Sequence, residues 1–599
     1  MTAVLSIHEA HDASAALIVD GVVVAAAQEE RFTRRKPDYG FPQHSIRACL
    51  DHAGLSPSDL EKVVLAGRGW TPALVKVKRN YNFSVDDWRL EQHLYWRPRL
   101  FEDREVDYYD IFKDREDFVY DDTYPLDEVL HSWHRDPELP DRLIALRKRH
   151  TAERLGIDVG RVDVVTHEDC HIAYAYYGSP FRGEVLGFTA EAVGDYSNGT
   201  VSRVAEGGRE ELAASLENHL GHLYEYLTLL LGMKPGQHEY KVMGLAAYAS
   251  ERELARSYEV FRNVLKVDGL RVVFDQRPSD LYFHFRDAFE THRFDGIAGA
   301  LQRFVEDILG EWVTAAVDAT GLRRVCFAGG LAQNVKACKT IGELVCVDDI
   351  FVCPACGDTS LPIGACYYTM RDILIERGED LSKLRPLRDA YLGPAPAEDD
   401  IERELETARN TLDVEITHGF DPEQIARLLA DGVVVACCRG RMEFGLRALG
   451  NRSILADPRR FDTVRRINEA IKHRDFWMPF APTVLAERAD DYLVNPKHLR
   501  SPFMTLAFDS TELAQRELPA AMHSGDLSLR PQILQEEDNP DYYGIVKAFE
   551  HETGIGGVLN TSFNLHGEPI VLDAVSAIDT FARSSLDALV LGDWLIRRK

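Results

Sequence analysis

Two glycine-bearing polar blocks near the C-terminus constrain this chain most, because each stands directly behind a short β-rich apolar run. Arg439 to Ser453 follows Val433 to Cys437, and Asn560 to Ile570 follows Gly557 to Leu559. The first block places four arginines and three glycines in fifteen residues. Glycine lets a backbone approach a ligand closely, and the planar arginine fork matches phosphate. Strands that run into such loops read as an α/β domain whose loops grip a phosphorylated small molecule. A solvated charged loop is the plainer alternative. Its recurrence behind two strand candidates weighs against it.

Composition narrows the partners. The chain has 599 residues, 45% of them apolar, so two or three large units can each bury a core. Its net charge is −28, from 97 acidic and 69 basic residues. That balance disfavours a nucleic-acid backbone as the main partner, since phosphate tracking needs a basic surface. No apolar run reaches the roughly 18 residues of a membrane span. The start, Met1-Thr2-Ala3-Val4-Leu5-Ser6-Ile7, lacks a basic leader. Ten scattered cysteines, with Cys437 and Cys438 adjacent, suit reduced thiols in the cytoplasm. Cys353 and Cys356 have C-x-x-C spacing but no second pair nearby, which argues against zinc.

The chain opens as sheet. Val4 to Ile7 is a β-rich run, and Ala13 to Val19 and Val22 to Ala27 flank the hairpin signal Asp20-Gly21. From about Trp70 to Asp158 the character changes: four of the seven tryptophans (Trp70, Trp88, Trp96, Trp133) sit amid dense charge, as in an inserted subdomain. Packing on the host is its ordinary role, and shaping a pocket is the other. Val162 to Val165 and Glu184 to Ala190 read as strands, Leu220 to Leu231 and Ile297 to Ala315 as helices. Val325 to Phe327, then Ala328-Gly329-Gly330, then a helix carrying Asn334, is a strand–turn–helix that can present amides to an anion. The proline-rich stretch Arg385 to Asp400 is the best domain boundary.

His167-Glu168-Asp169-Cys170-His171 satisfies H-E-x-x-H. On a helix, side chains four apart share a face, so both imidazoles can hold one ion. A zinc peptidase with Glu168 as general base fits the spacing. A different metal family fits it as well, and two packed structural histidines are a third reading.

Several pieces stand in a telling order. They are His11-Asp12-Ala13-Ser14-Ala15-Ala16, Glu29-Glu30-Arg31-Phe32-Thr33-Arg34-Arg35-Lys36, His167-x-x-x-His171, Glu239-Tyr240-Lys241-Val242-Met243-Gly244-Leu245, Ala328-Gly329-Gly330-Leu331-Ala332-Gln333-Asn334, Gly357-Asp358 and the two C-terminal blocks. This set resembles the O-carbamoyltransferases of natural-product and nodulation-factor biosynthesis, the tobramycin carbamoyltransferase type, over nearly the full length except the insert. The resemblance implies an α/β chain with an actin/hexokinase-like (ASKHA) domain at 1–387, carrying the insert at about 70–158, and a YrdC-like α/β domain at 388–599.

It also implies a two-step reaction. The C-terminal site forms carbamoyl-adenylate from carbamoyl phosphate and ATP, with Mg2+. The N-terminal site passes the carbamoyl group to a hydroxyl of a small molecule and releases AMP. Carried over residue by residue, His167, His171 and Asp358 would hold a divalent metal, typically iron(II), and His11 would be the general base. Lys36 and Asn334 would contact nucleotide, Arg447, Lys472 and Arg530 would neutralise phosphates, and Asn560 and Ser562 would bond carbamoyl or ribose groups. The implied partner is a small-molecule hydroxyl acceptor, with no nucleic acid and no membrane, and a homodimer is allowed.

The chain departs from the family pattern in places. Asp-Gly is usual where Glu191-Ala192 stands, so Glu191 receives no metal or nucleotide role. Leu446 replaces a proline, Met478 an arginine and Ser360 a glycine, and His523 to Gln532 reads one residue longer. Two other functions stay open. One is a threonylcarbamoyl-type tRNA modification enzyme, against which the charge of −28 argues. The other is a nucleotide-binding relative without chemistry.

Overall fold

The computed structural model describes residues 1–115, 117, 124–130, 138–468, 471 and 475–599. The chain divides into two units, Met1–Glu29 with Pro37–Pro386, and Glu30–Lys36 with Leu387–Lys599. A single cut near residue 387 therefore leaves Glu30–Lys36 on the wrong side, and Lys36 groups with the second unit.

In the first unit, β1 (Ala3–His8), β2 (Ser14–Val19), β3 (Val22–Gln28), β4 (Lys62–Ala66) and β5 (Val162–Val165) form a sheet ordered β3-β2-β1-β4-β5. The first three strands are antiparallel, and β4 and β5 run parallel to β1. A second sheet repeats the plan. It holds β6 (Val185–Ala190), β7 (Gly199–Ala205), β8 (Gly208–Ser215), β9 (Arg324–Ala328) and β10 (Asp349–Phe351) in the order β8-β7-β6-β9-β10. Here too three strands are antiparallel and two are parallel. This duplication is the actin/hexokinase-type fold. Both faces of β1 are covered, which is why Ala3 to His8 reads as an almost unbroken apolar run and every residue in it is buried.

The helix His167–Tyr177 follows β5 directly. Thr166 caps it by accepting the Asp169 amide, and Glu168 and Asp169 place negative charge in the first turn, where the helix dipole favours it. Ten of its eleven residues are buried, so it is a central element rather than an amphipathic surface helix. It lies against the helix Leu361–Glu376, and Gly364 permits the approach: a Cβ there would stand 1.8 Å from the Cys170 carbonyl oxygen. That contact brings the histidine helix close to the turn that carries Asp358.

The insert is helical, and Tyr81, Phe83, Tyr95, Tyr108 and Phe112 fill a core of its own. Its last helix, Leu139–Leu155, sends Leu139, Leu143 and Leu146 into the core beneath the first sheet. Packing on the host is thus an established role of this segment. Trp133 lies outside the described residues.

The second unit is built on one mixed sheet of β11 (Val414–His418), β12 (Val435–Cys438), β13 (Arg452–Ala456), β14 (Ala481–Leu485), β15 (Gln532–Leu534), β16 (Gly557–Ser562), β17 (Ala588–Leu591) and β18 (Trp594–Arg598). The order is β11-β18-β17-β12-β13-β16-β14-β15. Cys438 pairs with Arg452, and Ser453 with Ser562. Both polar blocks therefore lie at the same end of the sheet, following β12 and β16 on either side of β13.

Candidate functional site

Four side chains converge in the first unit. His167 and His171 come from successive turns of one helix, Glu191 from the end of β6, and Asp358 from the turn after Gly357. Their ligand atoms all lie within 4.8 Å of one another. His167 Nε2 is 2.6 Å from Glu191 Oε2 and 3.1 Å from His171 Nε2. His171 Nε2 is 3.1 Å from the same carboxylate oxygen. Asp358 Oδ1 stands 3.4 Å from His167 Nε2 and 3.6 Å from His171 Nε2. The other oxygen of Asp358 faces His11, whose Nε2 is 3.5 Å away. His8 completes a second convergence with His11 and Asp358.

The electrostatics follow from crowding. Burial alone would lower both imidazoles of the pair, but the Glu191 and Asp358 carboxylates outweigh it, so His167 is raised well above the usual range and His171 is raised. Burial opposes ionisation of the carboxylates too, yet the histidines hold Asp358 well below its ordinary value and lower Glu191. Partial desolvation lowers His11, whose side chain is half exposed, but the Asp358 and Asp12 carboxylates outweigh it and raise it above the ordinary imidazole value. His8 differs: burial pushes it down to about 4. Its ring nitrogens sit 3.3 Å from the Ala66 carbonyl and 3.1 Å from that of His11.

The donor set fits a divalent cation. Two imidazole nitrogens and two carboxylate oxygens cannot all turn lone pairs on one another unless protons or a cation lie among them. Glu191 Oε1 is buried with no hydrogen-bond partner among the described residues. Two histidines with carboxylates suit a first-row transition ion.

Glu168 decides the peptidase reading. Its Oε1 accepts the amides of Tyr196 and Ser197 at 2.9 and 3.0 Å, so it holds a turn rather than serving as a base beside the histidines. Asn334 caps the helix Val335–Glu343 instead of sitting within it. Its Oδ1 accepts the Ala337 amide, and its Nδ2 donates to Tyr224 Oη and Gln302 Oε1. Ser360, where the family pattern has glycine, turns its hydroxyl back onto the Gly357 carbonyl at 2.9 Å. Cys353 and Cys356 are both buried and are not joined in a disulfide.

In the second unit the arginines of the first block divide in role. Arg452 is buried and donates to the carbonyls of Leu572, Arg439, Gly440, Asn451 and Pro394. Arg441 donates to Gly393 and Leu392, and Arg439 pairs with Asp541 and Asp593. Arg452 and Arg441 thus satisfy backbone carbonyls that need donors, and Arg439 is neutralised by two carboxylates, so these three are engaged within the structure. Arg447 is half-buried on the same loop, and Arg530 is half-buried ahead of β15. Glu443 orders the loop: its Oε1 accepts the amides of Leu449, Asn451 and Arg452 at 2.7, 2.8 and 3.1 Å. Asn560 donates to the Ala448 carbonyl and Thr483 Oγ1, and its Oδ1 is buried with no hydrogen-bond partner among the described residues. Ser562 donates to Asn564 Oδ1. Lys36 is exposed, and Lys472 lies outside the described residues.

Residues 3–367 match the carbamoyltransferase N-terminus family model, and residues 426–598 match the carbamoyltransferase C-terminus model. The chain belongs to the carbamoyltransferase family. An uncharacterized protein of Methanocaldococcus jannaschii is 30% identical over 99% of each chain. Nodulation protein NolNO of Sinorhizobium fredii is 30% identical over 98% of this chain and 79% of its own. Nodulation protein NolO of Bradyrhizobium diazoefficiens is 33% identical over 73% of this chain and 79% of its own.

Within this carbamoyltransferase the fold gathers His11, His167, His171 and Asp358, which sequence reasoning had singled out, and adds Glu191, which it had set aside because a glutamate stands where the family has aspartate. Reach explains the addition, since the longer side chain still places one oxygen on both imidazoles. Glu443 gave no separate signal beyond its place in the first block. No helix among the described residues is long and apolar enough to cross a membrane.

Proposed function

We propose that the chain is an O-carbamoyltransferase that forms carbamoyl-adenylate from carbamoyl phosphate and ATP and then carbamoylates a hydroxyl of a small molecule. One observation carries this reading within the family: Asp358 presents one oxygen to the His167–His171 pair and the other to His11. A metal position and a base thus meet at one carboxylate, an arrangement that supports transfer to a hydroxyl.

In the first step, atom balance requires water to release phosphate from carbamoyl phosphate. The carbamate oxygen then displaces pyrophosphate at the α-phosphorus of ATP, which is used with Mg2+. Arg447, with Lys472 and Arg530, would offset the mutual repulsion of the two anionic substrates. Asn560, with its unengaged Oδ1, and Ser562 would supply neutral hydrogen bonds. In the second step, His11 takes the proton of the acceptor hydroxyl, its oxygen attacks the carbamoyl carbon, and AMP leaves. The raised basicity of His11 favours that proton transfer. A divalent ion held by His167, His171, Glu191 and Asp358, iron(II) by family resemblance, supplies Lewis acidity when bound. Asn334, engaged at both ends of its amide, would shape the nucleotide pocket through its cap rather than by a side-chain bond.

The test is carbamoyl-phosphate-dependent release of pyrophosphate from ATP without acceptor. Arg447→Ala should lose it and His167→Ala should keep it. No release by the unaltered chain would refute the adenylation step, and equal loss in both variants would refute the division of labour.

A further inference from the structure

We propose that the segment Glu30–Lys36 is a working part of the second unit's phosphate site, with Arg31 and Arg34 as positioning residues that hold its two loops. This rests on the reading of that site given above.

Connectivity sets the segment apart. Glu29 is anchored in the first unit, where its carboxylate accepts the amides of His44 and Ser45 at 3.0 and 2.8 Å and the Ser45 hydroxyl at 2.8 Å. The next seven residues, Glu30–Lys36, group with the second unit, and the chain then returns to the first at Pro37.

Arg31 serves the first loop. Its side chain is 1% exposed, Nη2 donates to the Gly445 carbonyl at 2.6 Å, and Nη1 pairs with Glu30 at 3.0 Å. Gly445 has φ of 114°, a left-handed conformation that side chains other than glycine rarely adopt, and it stands two residues before Arg447. Fixing that carbonyl fixes the direction in which the chain enters Arg447.

Arg34 serves the second loop. Nη1 donates to the Ile570 carbonyl at 2.7 Å and Nη2 to the Pro569 carbonyl at 2.8 Å. Asn564 closes the same loop from within by donating to the Glu568 carbonyl at 2.7 Å. Two consecutive carbonyls take both arms of a planar fork, a geometry that a single ammonium cannot reproduce.

The physical need is general. A loop that turns its amides toward an anion turns its carbonyls the other way, and those carbonyls need donors. One segment provides them for both loops. The C-terminus family match begins at residue 426, so a second unit defined by that match alone lacks its strap.

The experiment uses the full chain with Arg34→Lys and Arg34→Ala, since Arg34 is 31% exposed and tolerates change better than Arg31. Arg31→Lys is a third variant. Amide hydrogen exchange is followed over 439–453 and 560–570, with and without ATP as the probe. Exchange of the second loop should quicken about tenfold in both Arg34 variants. The KM for carbamoyl phosphate or ATP should rise more than kcat falls, while metal content at the histidine site stays unchanged. Unchanged exchange in both variants overturns the proposal, as does full restoration by lysine, which would show that charge alone matters. If the unaltered chain releases no pyrophosphate, the adenylation reading fails and exchange alone decides the strap.

Discussion

Glu9 and Arg147 form an ion pair in which both side chains are fully buried, between the loop that follows β1 and carries His11 and the helix Leu139–Leu155 of the insert. Arg147 Nη2 lies 2.5 Å from Glu9 Oε2 and Nε 3.2 Å from Oε1; Nη1 donates to the Gly67 carbonyl at 2.9 Å, and the Tyr124 hydroxyl donates to Glu9 at 2.9 Å. Arg147→Met would leave a carboxylate in the core with Tyr124 as its remaining side-chain donor among the described residues. Removing one partner of a buried pair costs about 3–5 kcal/mol, because the survivor keeps its desolvation penalty. With two units in the chain, a global melting curve does not isolate this cost. Hydrogen exchange of the β1 and β4 amides does, and their protection should fall by roughly two to three and a half powers of ten. Glu9→Gln combined with Arg147→Met should recover part of the loss, since neither charge then remains buried, giving a coupling of roughly 2 kcal/mol or more. A drop of less than about 1 kcal/mol for Arg147→Met would refute the reasoning, because it would mean that water or backbone motion relieves Glu9 without Arg147.

Two further outcomes follow from the same geometry. Glu191→Gln should weaken binding of a divalent probe such as Co2+ on the order of 100-fold, measured by competition with a chromophoric chelator; an unchanged affinity would place Glu191 outside the ligand set. His219 and His222, with Nδ1 atoms 3.0 Å apart, are depressed to about 4 and about 3, in each case first by burial. The unfolded chain therefore binds more protons than the folded one between about pH 6.5 and those values, so stability falls as pH drops through that window. His222→Gln should flatten that fall in urea-unfolding midpoints, and an unaltered pH slope would count against it.

The sequence by itself determined a good deal. Apolar runs fixed β1, β6 and β9, since a strand covered on both faces must be apolar throughout, and Asp20-Gly21 fixed the first hairpin. The i, i+4 spacing put His167 and His171 on one helix face, and the ordered motifs pointed to the family. Other decisions needed the fold. Whether Glu168 or Glu191 joins the histidines is a matter of which residue reaches them, and sequence spacing favours the wrong one. The arginines of the first block look alike along the chain, yet Arg441 and Arg452 are taken by backbone carbonyls and Arg439 by two carboxylates, partners brought in from distant parts of the chain. The loyalty of Glu30–Lys36 to the second unit was equally hidden, because Arg31 and Arg34 meet carbonyls more than four hundred residues away. Local pattern sets which elements form; only the closing of distant backbone onto side chains decides which charges are free to act and which are spent holding the structure.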